Sequence, residues 1–587
     1  MHLIDRIYLW QKKHLSPRTF LYLLSITIGI AAGLAAVVIK TSVEMMHHFV
    51  LFAFPTAFQE YLRFILPSIG LLLVILFIRY INRKPVGHGI PSVLFAISQR
   101  EGKIDRHNMY SSIVTSALTV GFGGSVGLEG PTVATGAAIG SNLASSFRLT
   151  YKQMVIMLGC ACAGAMAAIF KAPITAIVFA VEVIMIDLTA LSLIPLILSS
   201  ATAVLVSYYF LGMKAIYFVP ISHGLELTDL PWYIILGVVM GLCTAYFNRI
   251  YRMVGHWFQD MGSMTKKWLF GGLSLGLIIV LFPPLFGEGY EAINGCLKGD
   301  FSYLHDYFLV DIVAKWRYGI YIIILCLVLF KVFATSFTFG AGGVGGIFAP
   351  TLFMGAHAGI LFGMIVQALW YPEMDLTTYA LLGMAGMIAG TLHGPLTGVF
   401  LIAEITGGYT LLVPLMIVSV ISYMVTKLFF KNSVYTYQLA NRNELMTHDR
   451  NQNALSMMRI YDILETDFFV LDDSSKLGDL VKGVEESHRN LFPIVDKSGK
   501  LVGMVKMDDI RHLIFKPEKY ETITLKELMY YPDFVCEPTL PMRQIVDMFN
   551  SSGRYNMAVI DKDGKYLGFI SRANVFSVYQ KMLNKIM

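Results

Sequence analysis

One carboxylate, Glu129, stands in the stretch GSVGLEGP, residues 124 to 131, between glycines and a proline, with charge-free runs on either side. An ionisable group at membrane depth is expensive, and where it is kept it marks an ion or proton pathway. The same stretch contains GGSVG, Gly123 to Gly127, which fits the G-x-S-x-G pattern of serine hydrolases. That chemistry needs a base facing Ser125. The histidine candidates His88, His357 and His393 all fall in segments with another explanation, given below. A cation carrier would need several carboxylates or carbonyls converging on one point. Glu129, Glu182 and Glu404 stand at positions that do not cluster in any one motif. The six cysteines show no paired metal spacing, and Cys160 and Cys162 read as small packing residues.

The elements around Glu129 are apolar helices. The 587 residues are 55% hydrophobic and 15% charged, with a mean hydropathy of +0.61, outside the range of soluble globular proteins. The stretches 188–213 and 376–403 contain no Asp, Glu, Lys or Arg. Each exceeds the roughly 20 residues that a helix needs to cross a bilayer. The opening residues are charged and aromatic rather than a cleavable signal, and Arg6, Lys12, Lys13 and Arg18 place the amino terminus in the cytoplasm. The net charge of +6 requires no nucleic-acid partner. Lys171 is a second unusual membrane charge, expected to reach the interface.

Beyond about residue 440 the chain turns charged, with strand-like runs and Asp-Gly turns. The domains are read as 1–438, a linker at 439–454, and a soluble region at 455–587. Each region is a repeat. GLEGPTVATGAAIG from Gly127 matches GIFAPTLFMGAHAG from Gly346, an offset of 219 residues. FKAPITAIVFAVEV from Phe170 matches LHGPLTGVFLIAEI from Leu392 at 222, pairing Glu182 with Glu404. Residues 491–510 match 556–575 at an offset of 65, each reading as strand, tight turn, strand and helix. Glycine and proline break helices within the membrane, and broken helices at matching places in two halves point to a transport site. A helix start presents unpaired N–H groups and a positive dipole end, so the substrate is expected to be an anion.

GSVGLEGP resembles the G(R/K)EGP motif of the CLC family of chloride channels and chloride/proton exchangers. GHGIP, Gly87 to Pro91, resembles its GSGIP motif, GGIFAP, Gly345 to Pro350, its GxFxP motif, and SVYT, Ser433 to Thr436, its pore-tyrosine segment. The soluble repeats, about 455–516 and 524–587, resemble a pair of CBS domains. The resemblance implies an all-α polytopic membrane domain of two inverted repeats, followed by an α+β CBS pair. It also implies a homodimer with one anion pathway per subunit and no enzymatic activity. Glu129 would be the gate, moved by protonation or by chloride. The anion would be held by Ile347 and Phe348 N–H groups, the Tyr435 hydroxyl and residue His88, with the flanking backbone of Gly89, Ile90, Gly127, Leu128, Gly130 and Ala349. Chloride is the expected ligand, no cofactor is required, and the short loops suggest a bacterial inner membrane with the CBS pair in the cytoplasm.

Four departures from the family pattern matter. His88 replaces serine, so it either donates to the anion and adds pH dependence, or turns away and leaves the backbone to bind. Val183 stands where exchangers commonly carry the internal proton glutamate. Valine cannot relay a proton, which favours a passive channel, with a chloride/proton exchanger as the alternative. Leu128 removes a basic residue beside the gate, so lower conductance or a shifted gate is expected. Adenosine-binding CBS units pair a small hydroxyl residue with an Asp three positions on. Here the pairs are Lys506 with Asp509 and Ser571 with Asn574, neither complete. A dimer-stabilising cap is therefore favoured over nucleotide binding.

Overall fold

Inside a bilayer each backbone polar group must be satisfied within its own segment, which leaves helices as the solution for the apolar first region. The computed structural model describes residues 13–53, 59–87, 89–213, 227–304, 316, 318–441, 454–455 and 458–586. The amino-terminal lead-in up to residue 12, His88, and most of the 439–454 linker lie outside them. The chain divides into two compact units, Met1–Arg442 and Asn443–Met587. Among the described residues of the first unit, nine helices are long and apolar enough to cross a membrane. Others are too short: Ile90–Gln99 and Pro173–Glu182 have ten residues each, about 15 Å of helix against a hydrocarbon core of roughly 30 Å.

Proline sets where these helices begin. Pro91, Pro131, Pro173, Pro350 and Pro395 all lie in a first turn, where a missing N–H leaves nothing unpaired. Just before Pro173 and Pro395 the preceding helices end on Lys171 and His393, both left-handed at φ 55° and 57°.

The duplication is present in three dimensions. Helices Glu129–Ser146, Tyr151–Phe170, Pro173–Glu182 and Ala190–Leu211 recur as Phe348–Leu369, Leu376–Leu392, Pro395–Ile405 and Leu412–Phe429. The halves meet through reciprocal bonds, as two-fold symmetry requires. Gly127 N–H donates to the Gly346 carbonyl at 2.8 Å, and Gly346 N–H to that of Gly127 at 2.7 Å. Ser125 N–H donates to Thr338 Oγ1, and Val344 N–H to Thr119 Oγ1, both at 3.1 Å.

Glu182 and Glu404 make a second reciprocal clasp. Glu404 accepts from Ile174 N–H (3.0 Å), Thr175 N–H (2.7 Å) and Thr175 Oγ1 (2.6 Å), at the start of helix Pro173–Glu182. Glu182 accepts from Leu396 N–H (3.1 Å), Thr397 N–H (2.8 Å) and Thr397 Oγ1 (2.7 Å), at the start of helix Pro395–Ile405. Each carboxylate thus neutralises the positive end of the other repeat's helix.

The second unit holds two three-stranded sheets. Leu471–Asp472 runs parallel to Leu491–Val495, which pairs antiparallel with Leu501–Lys506. Val535–Cys536, Asn556–Ile560 and Tyr566–Ser571 repeat that order. Register shifts fall at Ile494/Val495 and Val559/Ile560, again 65 residues apart. Leu501, Met504, Ala558 and Phe569 pack between the repeats. The closing helices differ: Arg572–Ile586 is long, whereas Met507–Ile510 is a single turn. Pro517 follows, and the residue before a proline is pushed away from helical backbone.

Replacing Glu404 by Ala leaves two backbone N–H groups and a hydroxyl at the clasp without a partner. It is expected to lower stability by about 1–3 kcal/mol. Glu404→Gln should lose less, both read as melting temperature of the protein in detergent.

Candidate functional site

Two helix starts face one another across the Gly127–Gly346 bridge. Helix Glu129–Ser146 begins at Glu129, and its first helical-turn bond runs from Thr132 N–H to the Leu128 carbonyl (3.0 Å). Helix Phe348–Leu369 begins at Phe348, with Thr351 N–H bonding the Ile347 carbonyl (3.1 Å). The N–H groups ahead of these bonds, on Glu129, Gly130, Phe348 and Ala349, have no intrahelical acceptor. Gly89 caps a third start, Ile90–Gln99, at φ 64° and lies against the Gly130 backbone.

Glu129 is fully buried at this meeting point. One carboxylate oxygen, Oε1, accepts from the Tyr290 hydroxyl at 2.8 Å, and among the described residues Oε2 has no partner at ordinary hydrogen-bond geometry. Oε2 lies against Gly127, and a Cβ at 127 would overlap it; a Cβ at Gly346 would lie 3.1 Å away. Glycine at these two places is therefore required by close approach, which answers why the carboxylate is framed by glycines. An uncompensated buried carboxylate is costly, and the two positive helix ends together with the phenol supply the compensation.

Tyr435 is 5% exposed, and its hydroxyl has no partner among the described residues. Glu129 is within electrostatic reach of it. A cavity of about 310 Å³ is lined by Ile90, Gly130, Gly346, Ile347 and Tyr435 and by the basic Arg252, His256 and Lys267. The Arg252 guanidinium donates to the Asn432 carbonyl at 2.8 Å and stacks 3.8 Å over the Tyr437 ring, fixing the segment that carries Tyr435. Gly89, Ile90, Gly127, Gly130, Ile347, Phe348, Ala349 and Tyr435 are thus brought around Glu129 and this cavity.

Other residues singled out from the sequence fall elsewhere. Leu128 packs its side chain into an apolar cluster with Ile39, Val43 and Val120. Val183 is 4% exposed at the end of helix Pro173–Glu182, close to where a Cβ on Gly394 would sit. The Lys171 ammonium donates to the Gly212 carbonyl at 2.7 Å, at the end of helix Ala190–Leu211, away from the Glu129 site. In the second unit the Ser571 hydroxyl donates to Glu465 at 2.5 Å, and Glu465 is paired with Arg489 at 2.7 Å. Asn574 spends its side-chain N–H on the Ile463 carbonyl at 3.0 Å, while Asp509 is exposed.

The reading of Lys171 as the other unusual membrane charge overlooked Lys331. Lys331 is fully buried in helix Gly319–Gly340, and its ammonium donates to Ser125 Oγ (2.9 Å) and the Gly287 carbonyl (3.3 Å). The signal was the one that exposed Glu129: a single charge in a long apolar run. The hydrolase pattern, set aside from the sequence, finds no histidine base either: among the described residues the side-chain partner of Ser125 is Lys331. Ser125 is sealed from any substrate, with its N–H on Thr338 and its carbonyl accepting from Thr335 Oγ1. Tyr290 and Glu288 were likewise missed; Glu288 is electrostatically linked to Glu129, Lys40 and Lys331. They stand in a loop that no repeat highlights.

The comparisons with known proteins agree with this geometry. The profile of the voltage gated chloride channel family matches residues 69–427, and that of the CBS domain matches 460–516 and 525–581. The chain belongs to the voltage gated chloride channel family and ends in a CBS pair. It is a membrane protein of a chloride channel and transporter family, not of an enzyme family. It is 31% identical over 350 residues to the voltage-gated ClC-type chloride channel ClcB of Escherichia coli O157:H7, covering 59% of this chain and 79% of that one. With a ClcB-like chloride channel protein of Ralstonia nicotianae it shares 28% over 432 residues, 71% of this chain and 96% of the other. The fold is shared with a slow cyanobacterial Cl-/H+ antiporter (TM-score 0.61, 23% identity, covering 73% and 98%). It is also shared with a eukaryotic CLC transporter (TM-score 0.60, 18% identity, covering 95% and 99%).

Gly127→Ala should drive the Glu129 carboxylate from its seat. The expected outcome is a loss of normal chloride flux in proteoliposomes together with a lower melting temperature, whereas Ala at the open position Gly262 should change neither.

Proposed function

We propose that this protein is a passive chloride pathway in which Glu129 is the gate. The observation that carries the reading is the ionisable carboxylate seated where two helix starts converge, beside a buried phenol, Tyr435, whose hydroxyl has no partner among the described residues. A chloride ion and an ionised carboxylate are attracted by the same positive helix ends, so either one displaces the other. Protonating Glu129 removes its share of that attraction and favours release. Tyr435 and the Ile347, Phe348 and Ala349 N–H groups would then hold the anion. Arg252, His256 and Lys267 would draw anions into the cavity by long-range attraction.

Val183 supports passive transport, because an apolar buried side chain offers no proton step where the family's exchangers carry a carboxylate. A chloride/proton exchanger is the second reading, favoured by Glu288, a second carboxylate electrostatically linked to Glu129. We further infer a homodimer in a bacterial inner membrane, with the amino terminus and CBS pair cytoplasmic. Ile174 and Leu396, which the duplication relates, leave an apolar, exposed face beside the Glu182–Glu404 clasp for a second copy.

Chloride efflux and proton movement are measured together in proteoliposomes. Chloride flux without stoichiometric proton uptake is the expected result, with Glu129→Gln abolishing its pH dependence; coupled proton uptake lost in the variant would establish the exchanger. Tyr435→Phe should weaken chloride binding, by calorimetry, about threefold to tenfold, the effect of one neutral hydrogen bond.

The CBS pair serves as a cap that stabilises the dimer. Ser571 and Asn574, two of its candidate ribose contacts, already bond Glu465 and the Ile463 carbonyl, and Lys506 stands where the first repeat would need a small hydroxyl residue. Titration of the full-length protein with ATP, ADP and AMP should be thermally silent, and a saturable heat with any of them would overturn this part of the reading.

A further inference from the structure

We propose that Tyr290 is a latch on the Glu129 carboxylate, held in place by Lys331 through the loop from Gly287 to Tyr290. The proposal rests on the reading of Glu129 as the gate. Its basis is a chain of contacts in which strap and gate share one anchor. The Tyr290 hydroxyl donates to Glu129 Oε1 at 2.8 Å, from the first residue of helix Tyr290–Lys298. Three residues earlier, Gly287 is tied at both backbone groups: its carbonyl accepts from Lys331 Nζ at 3.3 Å, and its N–H donates to the Gly123 carbonyl at 3.3 Å. Between them Gly289 turns the loop at φ +84°. The same Lys331 ammonium donates to Ser125 Oγ at 2.9 Å, and it lies 4.7 Å from the centre of the Phe353 ring. Gly123 and Ser125 belong to the loop that delivers Glu129. One buried cation therefore fixes the distance between the phenol and the carboxylate it bonds.

The chemistry of the latch is that of a releasable donor. A phenol O–H bonds an ionised carboxylate oxygen strongly, and that bond is lost when the carboxylate is protonated and turns or when an anion takes its seat. Among the described residues Glu129 Oε2 has no hydrogen-bond partner, and Tyr290 supplies the one side-chain hydrogen bond that holds the closed position. Among the described residues, the titratable groups facing Glu129 are Tyr290, Glu288 and Tyr435, and those facing Glu288 are Glu129, Lys40 and Lys331. Deleting the phenol oxygen leaves the burial of the carboxylate less compensated. The ionised, seated gate then becomes less favourable, and protonation occurs at higher pH.

The test is chloride efflux from proteoliposomes across a pH series, for the parent, Tyr290→Phe, Glu129→Ala and the double variant, each checked as monodisperse protein. Tyr290→Phe is expected to raise flux at neutral pH about tenfold and to move the half-maximal pH upward by about one unit, the effect of a hydrogen bond to a charged group. In the Glu129→Ala background it should change neither. A fluorotyrosine at 290, a stronger donor, should move both quantities the opposite way and serves where Tyr290→Phe does not fold. If Glu129→Ala leaves flux and its pH profile unchanged, the gate reading itself fails. If Glu129→Ala alters both while Tyr290→Phe matches the parent, or acts equally without Glu129, the latch is overturned and the gate stands.

Discussion

The pair of backbone hydrogen bonds between Gly127 and Gly346 is the constraint on which the rest of the membrane unit depends. It joins two loops from different halves of the chain, and each loop delivers a helix start. Because the bonds are reciprocal, the two starts converge instead of lying side by side. Their positive ends then act on one small volume, and a side chain at either glycine would collide with the carboxylate or the opposing backbone. The anion site, the burial of Glu129 and the position of Tyr290 are consequences of that approach.

Glu129, Glu182 and Glu404 each place a carboxylate at a helix start, and the number of donors separates their roles. Glu182 and Glu404 each accept three hydrogen bonds, two from backbone that cannot move away. Each bond to a charged group is worth about 1.5–3 kcal/mol, so these two are fastened. Among the described residues Glu129 accepts its one side-chain bond from a rotatable phenol, and its Oε2 has no partner at ordinary hydrogen-bond geometry. The same attraction between an anion and a helix dipole thus serves as a fixed clasp between repeats in one place and as a reversible seat in another. The buried Lys331 adds a third arrangement, in which a cation without a carboxylate in direct contact is satisfied by a hydroxyl, a carbonyl and an aromatic face.

In the second unit the same economy of polar groups decides what the surface can offer. Ser571 and Asn574 stand at the places that adenosine-binding CBS repeats use; the Ser571 proton is taken by Glu465, and Asn574 gives one of its amide N–H groups to the Ile463 carbonyl. A hydroxyl already donating at 2.5 Å to a carboxylate has no second proton for a ribose. Residue identity at a motif position is therefore a weaker guide than the partner each group has found.

The sequence alone determined the apolar helices, the two duplications, the Glu129 region and the matching of Glu182 with Glu404, because hydropathy, proline and glycine act locally and repeats preserve spacing. It also carried the family resemblance, through four short motifs in order. What it could not contain was which group touches which. Lys331 lies 206 residues from Ser125, and Tyr290 161 residues from Glu129. Neither belongs to a motif or to a repeat, so nothing local announces the contact. The swapped clasp was likewise invisible, since two glutamates in matching places reveal kinship but not that each reaches into the other half. These partnerships were decided by the tertiary structure, where two-fold packing of the halves brings distant helix ends within hydrogen-bond distance and burial forces every charge there to find an acceptor, a donor or an opposing dipole.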